Sequence, residues 1–562
     1  MTVCEPPLKK QKQEYIYPNA SRAISTHSIS PRHPLNIKPS GNSFLATDPI
    51  LRTKRNDLLG SFACLPDELI MEIIGYVTDV NSLKNLSHVS RIFYAFLYDE
   101  EVWKKLYIKN IQLYHDKPWL GSWRNTVLGI PADQSANLQL MDNLLCSDLI
   151  YRPFQCSQIN YRKLFAKILT EEERYHQDSI LGQLGKLPPG RIQRINESNL
   201  TLEEFNTQYN NIPFILTNPD STRWPKWTFE SLLQRFPDVK FRQEAVEWNL
   251  SKYSQYLDHN RDENPLYLFD CNSPAMQTIR QEYKVPQIFQ SDLFSVFEGH
   301  CRPDHAWLIM GSARSGSTFH KDPNHTSAFN VAIQGHKLWV MLPPHISPPG
   351  VAASEDESEV TSPVGIAEWC LSGFFNDSLK LEDDGCLVGI TCPGECMYVP
   401  AGWWHSVINI DDSIAITQNF IPESKLGDVL DFLKNKPGQI SGFRPREVKS
   451  TLDYLIKDRE IDNDDMKDYC EKFGNLSNGV DLNEDCGEIE GLPPMPIFEM
   501  FKSLLILNDK QAELEDGLKK LERIELKNYE KETGKSKTWE KLTEQPTTGG
   551  AFSFNFEESD DE

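Results

Sequence analysis

No run of eighteen apolar residues occurs in this chain of 562 residues, so none of its helices is expected to cross a bilayer, and no membrane partner is expected. No Cys-x-x-Cys pair occurs among its 12 cysteines, which are scattered from Cys4 to Cys486. That usage argues against a disulfide framework and fits free thiols in a reducing compartment. The closest pair, Cys392 and Cys396, is interrupted by Pro-Gly-Glu and reads as strand sequence rather than a zinc half-site. Positive charge is also short: 58 Lys and Arg stand against 81 Asp and Glu, a net charge of -23. Counterion release, which dominates nucleic-acid binding, offers such a chain little, so no direct nucleic-acid contact is expected. A basic protein or peptide is the better-matched substrate. The first fifteen residues, MTVCEPPLKKQKQEY, put no apolar stretch behind their charges, and no secretory signal is expected there.

What is present suffices for several cores. The hydrophobic fraction is 39% with 10% aromatics, on a chain longer than one core usually supports. Residues 1–58 are rich in Ser, Pro, Asn and His without periodicity and read as a disordered tail. Their one compact basic run, Lys9, Lys10 and Lys12, suggests nuclear import, with the cytoplasm as a second location. Helical spacing begins at Leu65-Pro66-Asp67-Glu68, where proline and early carboxylates suit a helix start, and Ile70, Ile73, Ile74 and Val77 follow. Further helices are predicted near Leu83–Val89 and Phe93–Leu97, with Trp103 and Leu106 closing a unit over 59–107. Residues 108–185 read as a connector, and 186–440 as a domain dominated by short strands between Pro, Gly, Asn and Asp. A helical, charge-dense region over 441–545 and an acidic tail over 546–562 follow.

The chemistry concentrates in Thr318-Phe319-His320-Lys321-Asp322. On a strand, residues two apart share a face, so His320 and Asp322 can meet one ion while Lys321 points away. His405, after the turn Pro400-Ala401-Gly402 and two tryptophans, is the third candidate ligand. Two imidazoles and one carboxylate on one side of a metal make the facial triad of non-haem iron oxygenases, with positions left for cosubstrate and dioxygen. Taken alone, His-x-Asp arises readily by chance, and a histidine after two tryptophans also reads as core.

The surrounding sequence narrows the choice. Residues 311–343, GSARSGSTFHKDPNHTSAFNVAIQGHKLWVMLP, and 393–420, PGECMYVPAGWWHSVINIDDSIAITQNF, resemble the JmjC oxygenases. The nearest branch is that of the JmjC lysyl hydroxylase and disputed arginine demethylase once called the phosphatidylserine receptor. The resemblance runs over roughly 190–425, and departs from the branch at Lys321, where an aliphatic residue is usual. It implies a double-stranded β-helix (a cupin-like barrel) holding Fe(II) on His320, Asp322 and His405, which would be both metal ligands and catalytic residues. By the same matching, Lys337 pairs with the distal carboxylate of 2-oxoglutarate, aided by Thr417 and Tyr267, while Asn330, Ser317 and Asn419 line the cosubstrate pocket. Read singly, Lys337 near Gly335 also fits a solvated hairpin lysine, and Thr417 and Tyr267 ordinary strand residues. The helical run resembles an F-box through Leu65, Pro66, Val89, Ser90, Arg91, Trp103 and Leu106, which implies docking of the Skp subunit of an SCF ubiquitin ligase through residues 65–106.

The expected architecture is therefore an α+β multidomain chain: a helical F-box, a JmjC barrel and a helical C-terminal region. The expected activity is hydroxylation or demethylation of a lysine or arginine side chain, with histones among the candidates. The two outcomes share one site and differ in the carbon presented. The alternative is a ligase substrate receptor whose β-domain only binds. The acidic loop residues Glu355, Asp356, Glu357 and Glu359 are either part of the basic-substrate surface or a solvated loop without a role.

Overall fold

In a computed structural model, residues 54–98, 100–134, 159–260, 262, 264–362, 365–371, 373–476, 489 and 491–543 are described. The Lys9–Lys12 run and the acidic tail lie outside them. The last residues of the stretch read as a disordered tail are helical: α1 is Arg55–Leu59, anchored by buried Leu59. Then come α2 (Asp67–Gly75), α3 (Val80–Ser87), α4 (Arg91–Phe96) and α5 (Glu100–Lys109). Pro66 stands at the N-cap of α2, and Asp79 caps α3 by accepting from the Ser82 amide at 2.7 Å. Leu83, Phe93, Phe96, Trp103 and Leu106 form the buried side of this bundle.

The strand region is two sheets. Nine strands run in the order β1-β2-β13-β8-β15-β6-β5-β3-β4 and four in the order β12-β9-β14-β7. The first set comprises β1 (Gln193–Asn196), β2 (Phe214–Thr217), β3 (Lys240–Gln243), β4 (Val246–Asn249), β5 (Leu268–Asp270), β6 (Ala306–Gly311), β8 (Ser327–Gln334), β13 (Cys396–Val399) and β15 (Ser413–Phe420). The second comprises β7 (Gly316–His320), β9 (Lys337–Leu342), β12 (Leu387–Thr391) and β14 (Trp404–Asn409). A short hairpin, β10 (Ala352–Ala353) with β11 (Val360–Thr361), stands apart.

Alternation in the smaller sheet decides what faces the interior. Leu338, Val340 and Leu342 of β9, with Trp404 and Ile408 of β14, join an outer core with Tyr161, Phe165 and Leu169. Trp339, Met341 and Val407 point the other way and meet Ile215, Ala328 and Met397 of the larger sheet. The segment 108–185 is therefore more than a connector. Its helix α7 (Ala166–Ile180) coats the barrel, and its helix α6 (Trp123–Leu128) sets Trp123 against Tyr107 of α5 and Trp248 of β4.

A second compact unit is formed by Ser291–Pro303, Pro323–Thr326 and the described residues from Phe420 onward. Helices α9 (Leu426–Asn435), α10 (Pro445–Asp453), α11 (Asp464–Gly474), α12 (Ile497–Leu507) and α13 (Gln511–Thr543) surround Leu293, Phe294, Phe297, Phe443 and Phe501. The helical region thus begins near residue 420 rather than 441 and recruits an upstream segment, because the aromatic residues of 291–303 are buried in its core.

Candidate functional site

Strand pairing assembles the three candidate ligands. His405 of β14 lies directly opposite His320 of β7, their ring centroids 4.2 Å apart. Asp322 follows two residues beyond His320, and one ligand atom from each of the three lies within 4.8 Å of the others. A bulge between His405 and Val407 is accommodated by Gly316, where an added Cβ would meet the Val407 carbonyl oxygen at 2.0 Å.

Hydrogen bonding leaves the right atoms available for a metal. His320 Nδ1 lies 2.8 Å from the Thr318 carbonyl, and His405 Nδ1 lies 3.1 Å from the Trp403 carbonyl. A carbonyl only accepts, so both Nδ1 atoms carry a proton and each Nε2 is the ring nitrogen left for a metal. Burial, together with the neighbouring His320, pushes His405 well below the usual imidazole range and holds it in the neutral, ligating form. Asp322 Oδ1 accepts from Asn419 Nδ2 at 3.3 Å, whereas its buried Oδ2 has no hydrogen-bond partner among the described residues. Burial raises the Asp322 pKa, against the lowering effect of His320 and Asn419. A buried carboxylate oxygen without a donor, aimed at two imidazole lone pairs, fits a divalent cation.

The second half of the pocket centres on Lys337. It is fully buried, and its ammonium donates to Tyr267 Oη at 2.8 Å and to Asn409 Oδ1 at 2.9 Å. Burial pushes its pKa down to about 7, against the attraction of Asp411. The solvated-hairpin reading of Lys337 does not hold. The turn exists at Gly335, with φ 79°, but Lys337, two residues on, points inward and is fully buried. A buried cation whose two partners are neutral suits an incoming carboxylate. Gly311 makes room for the Tyr267 ring, which an added Cβ would approach to 2.6 Å.

Other expected pocket residues differ in what they do. Asn419 touches Asp322 directly. Asn330 is buried, and its Oδ1 has no partner among the described residues. Thr417 Oγ1 donates to the Phe329 carbonyl at 3.0 Å, so a carboxylate would have to draw that proton away. Ser317 contributes its carbonyl, which accepts from Ser406 Oγ at 3.0 Å. Asn409 was not among the expected residues. The signal for it is the alternation His405, Val407, Asn409 along β14, and it lies opposite Lys337 in the register. Lys321 points away from the cluster, as its position between the ligands requires. It pairs with Glu357 at 2.6 Å, so one of the four loop carboxylates is tied beside the ligand strand. Glu355, Asp356 and Glu359 are exposed, and hydrogen bonds from Ser354 and Ser358 hold Asp356 down at about 2.

A second cluster, His176, Cys392 and Glu395, also has metal-ligand atoms within 4.8 Å of one another. There the Arg194 guanidinium grips Glu395 at 2.8 and 3.1 Å and Glu172 at 2.6 Å, supplying the positive charge itself. Burial pushes the Cys392 thiol pKa far upward.

The chain is similar to known proteins in both its strand-rich and its N-terminal helical region. Residues 191–425 match the family described as a Cupin-like domain, and residues 62–109 match an F-box-like family. The chain is 36% identical to the arginine-specific demethylase JMJ22 of Arabidopsis thaliana, an alignment covering 74% of this chain and 80% of that protein. It is 36% identical to the bifunctional arginine demethylase and lysyl-hydroxylase psr-1 of Caenorhabditis elegans, over 42% of this chain and 62% of that protein. It is 24% identical to the 2-oxoglutarate and iron-dependent oxygenase JMJD4 of Danio rerio, over 40% of this chain and 50% of that protein.

Proposed function

This chain belongs to the JmjC oxygenases of the cupin-like fold, which use iron and 2-oxoglutarate, and on that premise we propose that it oxidises an arginine or lysine side chain of a basic protein. It is an enzyme of the 2-oxoglutarate-dependent dioxygenase class and carries an F-box-like segment that indicates a Skp-type, SCF-class partner. Supporting the substrate class are the names of JMJ22 and psr-1, one an arginine demethylase and the other also a lysyl hydroxylase. The charge of the chain, -23, and the exposed carboxylates Glu355 and Glu359 favour the same class.

In this reading His320, Asp322 and His405 hold the iron, and Lys337 holds the distal carboxylate of 2-oxoglutarate. The observation that carries it is the unpartnered Asp322 Oδ2 beside two imidazoles whose Nδ1 atoms are already engaged. Iron(II) with 2-oxoglutarate supplies oxidation of a C–H bond by dioxygen, with succinate and carbon dioxide released. The chain's own residues orient the ligands, exclude water from the pocket and fix the cosubstrate. The carbonyls of Thr318 and Trp403 set the two ring tautomers, Asn419 steers the Asp322 carboxylate, and Tyr267 and Asn409 hold the Lys337 ammonium. Succinate formation by purified protein over arginine- and lysine-bearing histone and splicing-factor peptides tests the proposal. Turnover only with neutral or acidic peptides sinks the substrate class.

The partner reading is supported by the outer face of the F-box-like bundle. Phe62, Leu69, Ile73, Tyr76 and Val89 are exposed there, Tyr76 at 77% and Val89 at 67%. A nuclear location is proposed from Lys9, Lys10 and Lys12 alone. An unchanged distribution after their replacement by Gln removes it.

A further inference from the structure

The strand-region side of the cosubstrate pocket is braced from the F-box-like segment. Asp262 is buried in an aromatic box where Trp123 lies 5.6 Å from Trp248 and 5.8 Å from Tyr256 between ring centroids. Its carboxylate receives Lys104 Nζ of α5 at 3.0 Å, Trp123 Nε1 at 2.9 and 3.0 Å, and Tyr256 Oη at 2.7 Å. Lys104 is the cation that balances this carboxylate, and α5 lies inside the F-box-like match over 62–109.

Two arms lead from Asp262 to the two partners of Lys337. In one arm, Tyr256 of α8 (Leu250–His259) accepts from the Leu266 amide at 2.8 Å and so fixes the chain one residue before Tyr267. In the other arm, the Asp262 carbonyl accepts from Arg314 Nη1 at 2.7 Å. Arg314 sits at φ 76°, a left-handed conformation that costs a non-glycine residue and persists only where its surroundings hold it. Its amide donates to the Asn409 carbonyl at 2.9 Å. The next residue, Ser315, accepts Asn409 Nδ2 at 2.8 Å while donating to the Ser312 carbonyl at 2.6 Å. That relay fixes the Asn409 amide with Oδ1 toward Lys337.

We propose that Asp262 is a positioning residue for the cosubstrate site and that Lys104, from the F-box-like segment, holds it in that role. The inference rests on reading Lys337 as the anchor of 2-oxoglutarate. Without the Lys104 ammonium, the buried carboxylate loses its charged donor and keeps only Trp123 and Tyr256, so it shifts in its box and disturbs Tyr256 and Arg314 together. The F-box-like segment is thus part of the oxygenase's cosubstrate support as well as a partner surface.

The test measures the dissociation constant of 2-oxoglutarate by calorimetry on full-length, manganese-loaded protein, and KM and kcat for succinate formation on the iron form. Lys104→Met is expected to weaken 2-oxoglutarate about fivefold or more, in the range of site-to-site coupling energies, with metal content and kcat at saturation unchanged. Lys104→Arg keeps the charge and is expected to stay within about twofold. Arg314→Lys, which loses the guanidinium shared between the Asp262 carbonyl and Asn260 Oδ1, is expected to weaken 2-oxoglutarate likewise and serves if Lys104→Met does not fold. Leu83→Ala, in the bundle core away from the network, is the control for general destabilisation. Parent-like 2-oxoglutarate affinity in folded Lys104→Met overturns the proposal, as does parent-like affinity in Arg314→Lys where Lys104→Met does not fold, or equal weakening in Leu83→Ala. Absence of 2-oxoglutarate binding in the parent itself defeats the Lys337 reading, a failure visible before any variant is made.

Discussion

Replacing Lys337 with Met should change two properties in opposite directions. The ammonium is buried and its pKa falls to about 7, so the unfolded chain binds more protons from there up to the ordinary lysine range. Stability therefore rises with pH through that window, and at neutral pH the buried lysine costs on the order of a few kcal/mol. Methionine removes that cost. It also leaves Tyr267 Oη and Asn409 Oδ1 without their donor, returning about 1 kcal/mol for each. The net expectation is a ligand-free protein whose Tm is higher by a few °C. For 2-oxoglutarate, losing one partner of a buried charge pair costs about 3–5 kcal/mol, which weakens binding by roughly two to nearly four powers of ten. In the parent, the free lysine must take up a proton to meet the carboxylate above pH 7, so affinity should fall about tenfold between pH 6 and pH 8. The variant should lose that pH dependence. Calorimetry with 2-oxoglutarate on manganese-loaded protein, beside thermal melts without it, reads both effects. Parent-like affinity in Lys337→Met refutes the anchor, and a lower Tm refutes the account of the burial cost.

His320→Ala, Asp322→Ala and His405→Ala should each lose bound iron and turnover, because two remaining ligands do not hold a labile divalent ion. Metal analysis after anaerobic reconstitution checks this, and full occupancy in any of them contradicts the triad. Leu65→Ala with Pro66→Ala, at the exposed start of α2, should lose co-purification of a Skp-type subunit while 2-oxoglutarate affinity stays within about twofold, as the coupling runs through α5 instead; retained co-purification refutes the adaptor reading. Glu355→Gln with Glu359→Gln should raise the KM for a basic peptide a few-fold at low salt and little at high salt, with 2-oxoglutarate unaffected. An unchanged KM at low salt removes the loop from the recognition surface. Glu357 is left out of that pair because Lys321 already holds it.

Much of the site was legible because its determinants are local. His320 and Asp322 are two residues apart, so the end of β7 and the residues just after it bring both to one ion. The turn at Pro400–Gly402 delivers His405 at the start of β14, where pairing sets it opposite His320. The F-box-like helices announce themselves by spacing and by Pro66, and they match an F-box-like family over 62–109. Asn409 was readable by the same period-two rule from His405, yet only the register of β14 on β9 gives it a purpose, opposite Lys337.

The tertiary structure decided the rest. Whether Lys337 is a hairpin lysine or a buried cation depends on the opposing sheet that brings Tyr267 over it, and those residues are 70 apart in the chain. The modules looked separable in sequence because Lys104 and Asp262 are 158 residues apart, but they form one charge pair in a shared aromatic core. The helical C-terminal unit takes its aromatic core partly from residues 291–303, which no local periodicity assigns to it. Local patterns determine which face a side chain takes and where a helix starts. Burial, and with it the charge state of Lys337 and Asp322 and the partners of Asp262, is set by distant segments that exclude water, and that information is not local in the sequence.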